Sequence, residues 1–122
     1  KKIKLHTQLY KVLTSQEWGS ASQNGQIYTQ LDDKDGFVHL SSARQLTMTM
    51  SLYFSQEERV VLLQINEADI KDGLKYEYSE KRNGQFAHFY GKLSIKNISQ
   101  SWHLDRSAFS LPEEVMLEAE QN

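Results

Sequence analysis

Hydrophobic and polar positions alternate along QLYKVL, residues 8–13, so Leu9, Lys11 and Leu13 fall opposite Tyr10 and Val12, which predicts a strand. A helix is expected at once after it. Thr14 reads as an N-cap, Glu17 three residues on completes a capping box, and Trp18 heads the apolar face until QNGQ ends the element. LDDKDG, residues 31–36, reads as turn chemistry, and GFVHLS, residues 36–41, as a half-buried strand. Ser41 or Ser42 then caps a second helix, SARQLTMTMSLYF, whose apolar positions Ala43, Leu46, Met50 and Tyr53 or Phe54 recur at helical spacing.

Strands dominate the second half. VVLLQI is a continuous apolar run of strand length, expected at the centre of a sheet and buried on both faces. LKYEY alternates, with Leu74, Tyr76 and Tyr78 on one face and Lys75 and Glu77 on the other. KRNGQ is a turn, FAHFYG a strand, SIKNI a helical turn, SWHLDRSAF a last strand, and LPEEVMLEAEQN a helical or fraying acidic tail. The predicted order, β-α-β-α-β-β-β-β with both helices from the N-terminal half, argues for an α+β fold rather than a doubly wound parallel sheet. With no repeat and a single proline, Pro112, residues 1–122 read as one domain, its core at about 7–111 and its tail at 112–122.

Composition narrows the classes of function. The chain has 122 residues and no cysteine, which removes disulfides and thiolate sites and suits a reducing, cytoplasmic setting. Net charge is −2, and Arg44, Arg59, Arg82 and Arg106 are scattered rather than gathered into a basic stripe, so no nucleic-acid partner is expected. No apolar run approaches the roughly 20 residues that span a bilayer, and KKIKL is too short and polar for a secretory signal, so no membrane association is expected.

Two stretches carry candidate chemistry, DKDGFVHLSSARQ and NGQFAHFYGKL, each with one histidine in a short apolar segment. Strand alternation puts Phe37, His39 and Ser41 on one face and Phe86, His88 and Tyr90 on another. Rings, hydroxyls and imidazoles on one face suit a planar ligand, and the competing reading is two histidines buried for packing, each bonded to the backbone. Ser41, Ser42 and Arg44 open a helix after the strand. Free N–H groups beside an arginine there fit a phosphate, and a serine cap with a solvated arginine is the plainer alternative. His6, His39, His88 and His103 show no metal-binding spacing, so no metal is expected. There is no GxSxG elbow and no glycine-rich phosphate loop.

LYKVLTSQEW, DGFVHLSSARQ, VVLLQIN, LKYEY, FAHFYG and LSIKNI, in that order over residues 7–100, resemble the family Domain of Unknown Function 952. That family resembles the ADP-ribosyltransferase fold, a split α+β sheet with an NAD cleft between its halves, and in particular the RNA 2′-phosphotransferases. The resemblance implies that His39 occupies the second position of the NAD signature, against the nicotinamide or its ribose. It places Tyr10 and Lys11 on the first signature strand, where a histidine or arginine usually anchors the adenosine ribose. It implies a pyrophosphate near Ser41 and Arg44, with Phe86 and Tyr90 completing the pocket and His88 as acid, base or donor. The chemistry implied is ADP-ribosyl transfer or NAD glycohydrolysis. The usual catalytic glutamate is missing from FAHFYG and SWHLDRSAF, which predicts slow or absent classical protein mono-ADP-ribosylation. The alternatives are a small-molecule or nucleotide-binding module without turnover, and a structural domain with both histidines in its core.

Overall fold

The computed structural model describes residues 8–105 and 112–121. It is an α+β arrangement of two three-stranded antiparallel sheets with helices around them. Strand β1 (Gln8–Thr14) leads into helix α1 (Ser15–Asn24), and the Thr14 capping box with Glu17 forms as the sequence predicts. Gly25 closes α1 in the left-handed conformation at φ 81°, which a residue with a Cβ rarely adopts.

LDDKDG is not a turn. Residues Gln30–Asp35 form helix α2, because Thr29 and Asp32 make a second reciprocal capping box and Gly36 ends the helix at φ 84°. Strand β2 is consequently short, Val38–Leu40, rather than the whole of GFVHLS. The next helix begins with a 3-10 turn at Ala43–Gln45, capped by Ser42, and continues as α3 (Leu46–Tyr53). Ala43, Leu46 and Met50 face inward as the periodicity predicts, but Phe54 rather than Tyr53 is the half-buried aromatic.

Strand β3 (Arg59–Asn66) lies between β1 and β6 (Ile98–Asp105). Its two faces feed two apolar clusters. Val61, Leu63 and Ile65 join Leu9 and Leu13 on one side, while Val60 and Leu62 join Tyr10 and Val12 on the other. Four successive residues, Val60–Leu63, are at most 1% exposed, which is why the run carries no polar alternation.

The second sheet has strand β5 (Gly84–Phe89) between β2 and β4 (Leu74–Ser79). Its inner face, Val38, Leu40, Ala87 and Phe89, packs into the first of those clusters. One backbone bridge joins the two sheets: Tyr10 N donates to Ser41 O at 2.8 Å, and Ser41 N donates to Tyr10 O at 2.9 Å. The expected tail is part of the fold. Helix α4 (Glu113–Gln121) inserts Val115, which is 0% exposed, into the cluster around Tyr10 and Leu46. The last four residues of SWHLDRSAF, from Arg106 on, lie outside the described residues. Among those described, no helix is long and apolar enough to cross a membrane.

Candidate functional site

The antiparallel register sets His39 of β2 directly opposite His88 of β5. Because the alternate residues Val38, Leu40, Ala87 and Phe89 are committed to the core, both imidazoles emerge on the other face of the sheet, with ring centres 5.8 Å apart. Phe37 covers them. Its ring stacks on His88 at 3.9 Å and leans on His39 at 4.5 Å and on Tyr90 at 5.4 Å. His39, His88 and Tyr90 therefore come together, with the two histidines side by side on adjacent strands of one sheet.

Carboxylates missed at the sequence level hold these rings. Asp32, fully buried, accepts from His39 Nδ1 at 2.7 Å, from the His39 amide at 3.0 Å and from Lys11 Nζ at 2.9 Å through Oδ1. Its Oδ2 accepts from the Thr29 amide at 3.0 Å. Lys11 Nζ also donates to the His39 carbonyl at 3.0 Å. The other nitrogen of His39, Nε2, lies 2.8 Å from Asp35 Oδ2, so a ring protonated on both nitrogens satisfies both contacts. Burial works to raise the Asp32 carboxyl. The His39 bond, the Lys11 charge and the Thr29 amide outweigh it and hold the group down at about 2. Burial lowers Lys11, and Asp32 opposes that shift. On the neighbouring strand, Glu77 Oε1 is 2.7 Å from His88 Nδ1 and accepts from the Tyr90 hydroxyl at 2.7 Å. The bonds from Tyr90 and His88 pull the Glu77 carboxyl below its ordinary range, and the same contact raises Tyr90.

Beside this face a cavity of about 260 Å³ opens where β1, β2 and α3 meet. Lys11, His39, Ser41, Thr49, Tyr53 and Arg82 contribute to its wall, and Glu17 stands at its edge, tied to the Thr14 amide. Tyr10, at 1% exposure, borders the cavity, but its hydroxyl turns away to bond Glu118 and accepts from Gln64 Nε2 at 3.1 Å; burial, with Glu118, raises its pKa. Phe86 lies beneath Arg82.

At the expected phosphate position, two amides and the arginine are engaged within the protein. The Ser41 amide is spent on Tyr10 O, and the Ser42 amide donates to Gln45 Oε1 at 3.0 Å, so these two N–H groups are not free. Arg44 points elsewhere: its Nε donates to Ala119 O at 2.8 Å, where a cation meets the last turn of α4. It borders a separate groove of about 550 Å³.

Arg82 is the cation that KRNGQ concealed. Asn83, at φ 54°, takes the left-handed conformation in the β4–β5 turn, one that asparagine tolerates better than most residues. Arg82 there is only 7% exposed. Its guanidinium stacks on Phe86 at 3.7 Å and lies 5.4 Å from the Tyr53 ring, while Nη2 donates to Thr49 Oγ1. Thr49 Oγ1 is in turn 2.9 Å from Ser41 Oγ. Arg82 Nε is buried with no hydrogen-bond partner, and no carboxylate pairs with the guanidinium among the described residues. An unmade bond on a buried polar group costs about 1–3 kcal/mol, more when it is charged. An arginine in a turn, after a charged pair and before Asn83 and Gly84, looks solvated in sequence, so no local signal could have found it. Asp32 did have one, the Thr29-x-x-Asp32 spacing of a capping box. Among the described residues no group of three His, Cys, Asp or Glu is placed to hold a metal ion.

Comparison with known proteins agrees with this architecture. Protein CC0527 of Caulobacter crescentus is similar in its crystal structure, with a TM-score of 0.80 and 28% identity over 90% of this chain and 99% of that one. Its solution NMR structure matches with a TM-score of 0.68 and 31% identity, over 80% of this chain and 84% of that one. No curated protein matches the chain. The family described as "Protein of unknown function (DUF952)" matches residues 12–101, three-quarters of the sequence and every strand of both sheets in whole or in part, and the chain belongs to that family.

Proposed function

We propose that the chain is a small-molecule-binding domain of ADP-ribosyltransferase-like type, taking NAD or a related nucleotide at the cavity beside the His39–His88 face. The observation that carries this reading is the cavity itself, with aromatic and apolar groups on its wall and a few polar groups converging from different elements. Two separate antiparallel sheets, bridged through the backbone at Tyr10 and Ser41, support the split-sheet comparison. At about 260 Å³ the cavity is smaller than the roughly 300–1,000 Å³ of most ligand pockets, so it takes one portion of a dinucleotide. Asp35 and Glu77 repel phosphate from the histidine face, so the phosphates would lie away from that face.

Binding is better supported than turnover. Both ring nitrogens of His39 and Nδ1 of His88 already meet carboxylates, and Glu77 is held by His88 and Tyr90. His39 thus supports the wall, and of these two rings it is His88 Nε2 that has no protein partner among the described residues.

A thermal-shift titration with NAD, ADP-ribose, nicotinamide and common nucleotides tests the reading. A ligand at a hundred times its Kd adds roughly 2.7 kcal/mol to stability, an easily seen shift. Stabilisation by NAD or ADP-ribose, followed by an assay for nicotinamide release, would separate a binding module from an enzyme. No shift with any of these compounds would overturn the nucleotide reading.

A further inference from the structure

Lys11 and Arg82 are both buried cations on one cavity wall, close enough for the Arg82 charge to act on Lys11. Lys11 has its anion, Asp32, at 2.9 Å. Arg82 has a threonine hydroxyl and two aromatic faces, and its Nε–H is shut away from water and unbonded. A buried charge held without a counter-ion is unfavourable to the fold, and one that persists against a cavity points to an anion supplied from outside. Glu17 on the same wall is engaged by the capping box of α1 and forms no ion pair with Arg82.

We propose that this cavity recognises a singly charged organic anion, a carboxylate carried on a flat apolar body, with Arg82 as its counter-ion. The proposal rests on the reading of the cavity as a ligand site and adds the class of ligand. One unpaired cation balances one negative charge, whereas a phosphate dianion would leave an excess in a site that also faces Glu17. The Arg82 guanidinium, which lines the cavity, donates to one carboxylate oxygen through a nitrogen other than the enclosed Nε, a charge-assisted bond of the strong kind. The Ser41–Thr49 hydroxyl pair, already in contact with the guanidinium, supplies a neighbouring donor. Tyr53, Phe54 and Val12 leave the rest of the cavity suited to a ring or short apolar chain.

Benzoate and benzamide, alike in shape and different in charge, test this directly. The ¹⁵N–¹H spectrum of the full chain reports on both, since the shielded Nε–H of Arg82 gives its own resonance. Expected results are saturable shifts of the Arg82 Nε–H and Thr49 signals with benzoate, and affinity for benzoate at least tenfold above that for benzamide. Inorganic phosphate should bind more weakly than benzoate. In Arg82→Met the benzoate preference should disappear, while the melting temperature of the free protein stays level or rises because an unsatisfied charge has been removed. Arg82→Lys should keep part of the preference.

Equal binding of benzoate and benzamide, unchanged in Arg82→Met, would overturn the anion inference and leave the ligand-site reading intact. Benzoate discrimination in a protein that ignores NAD and ADP-ribose would uphold the inference and remove the nucleotide reading. A large fall in melting temperature in Arg82→Met, with no benzoate response in the parent protein, would make Arg82 a structural residue and end the proposal.

Discussion

Two buried cations line one cavity, and they differ in how they are satisfied. Lys11 sits in a closed network: Asp32 takes bonds from its ammonium, from the ring and amide of His39 and from the Thr29 amide. Arg82 is also largely hidden from solvent, yet one of its donors has no acceptor and its charge has no partner among the described residues. A completed network is architecture, because α2, β1 and β2 are all held by the one carboxylate. An incomplete one has stability to gain from a ligand. The first sort of site resists change, and the second invites it.

Removing the anion from the closed network should have the largest effect. Asp32→Ala leaves Lys11 buried and uncompensated and should cost about 3–5 kcal/mol in urea unfolding, as for other broken buried pairs. A paired Lys11→Met, Asp32→Leu replacement should recover a good part of that loss. If the single and double replacements are equally damaging, the network is not what holds α2 to β1. The contrast with Arg82→Met, expected to be neutral or stabilising, is the sharpest form of the comparison.

Acid should expose the same difference less severely. The Asp32 carboxyl is held at about 2 against an ordinary 3.8, so the folded state binds its proton less readily than the unfolded chain does. Its contribution is therefore complete above about 4 and is lost as pH falls towards 2, a change of about 2 kcal/mol for a group this buried. Urea midpoints measured from pH 5 down to 2 should fall in the parent and show a shallower slope in Asp32→Asn. Equal slopes would mean that other carboxylates govern acid stability.

The smallest expected effect is on His88 of the central strand β5. His88→Phe keeps a ring against Phe37 and gives up the bond to Glu77, so unfolding should shift by about 1 kcal/mol. A loss as large as that in Asp32→Ala would place His88 inside the structural network after all.

The Thr14 capping box, the central burial of Val60–Leu63 and the face shared by His39 and Phe37 were legible because each depends on neighbours within a few residues or on a fixed period. Helix α2 was legible too, through Thr29 and Asp32, but the acidic run around it reads more readily as a turn. Arg44 shows the limit. Its position at a predicted helix start suggested a phosphate site, and only the return of α4 across the chain gave its guanidinium a carbonyl 75 positions away.

By itself, then, the sequence determined the strands, their buried faces and the family, since periodicity and local capping are written in adjacent residues. Tertiary structure alone decided which charges are paired. Asp32 meets Lys11 across 21 positions, and Arg82 meets Thr49 across 33 and no carboxylate among the described residues. Such encounters depend on how two sheets close around a cavity, and at these separations no local pattern encodes whether a buried charge will find its counter-ion inside the protein or await one from solution.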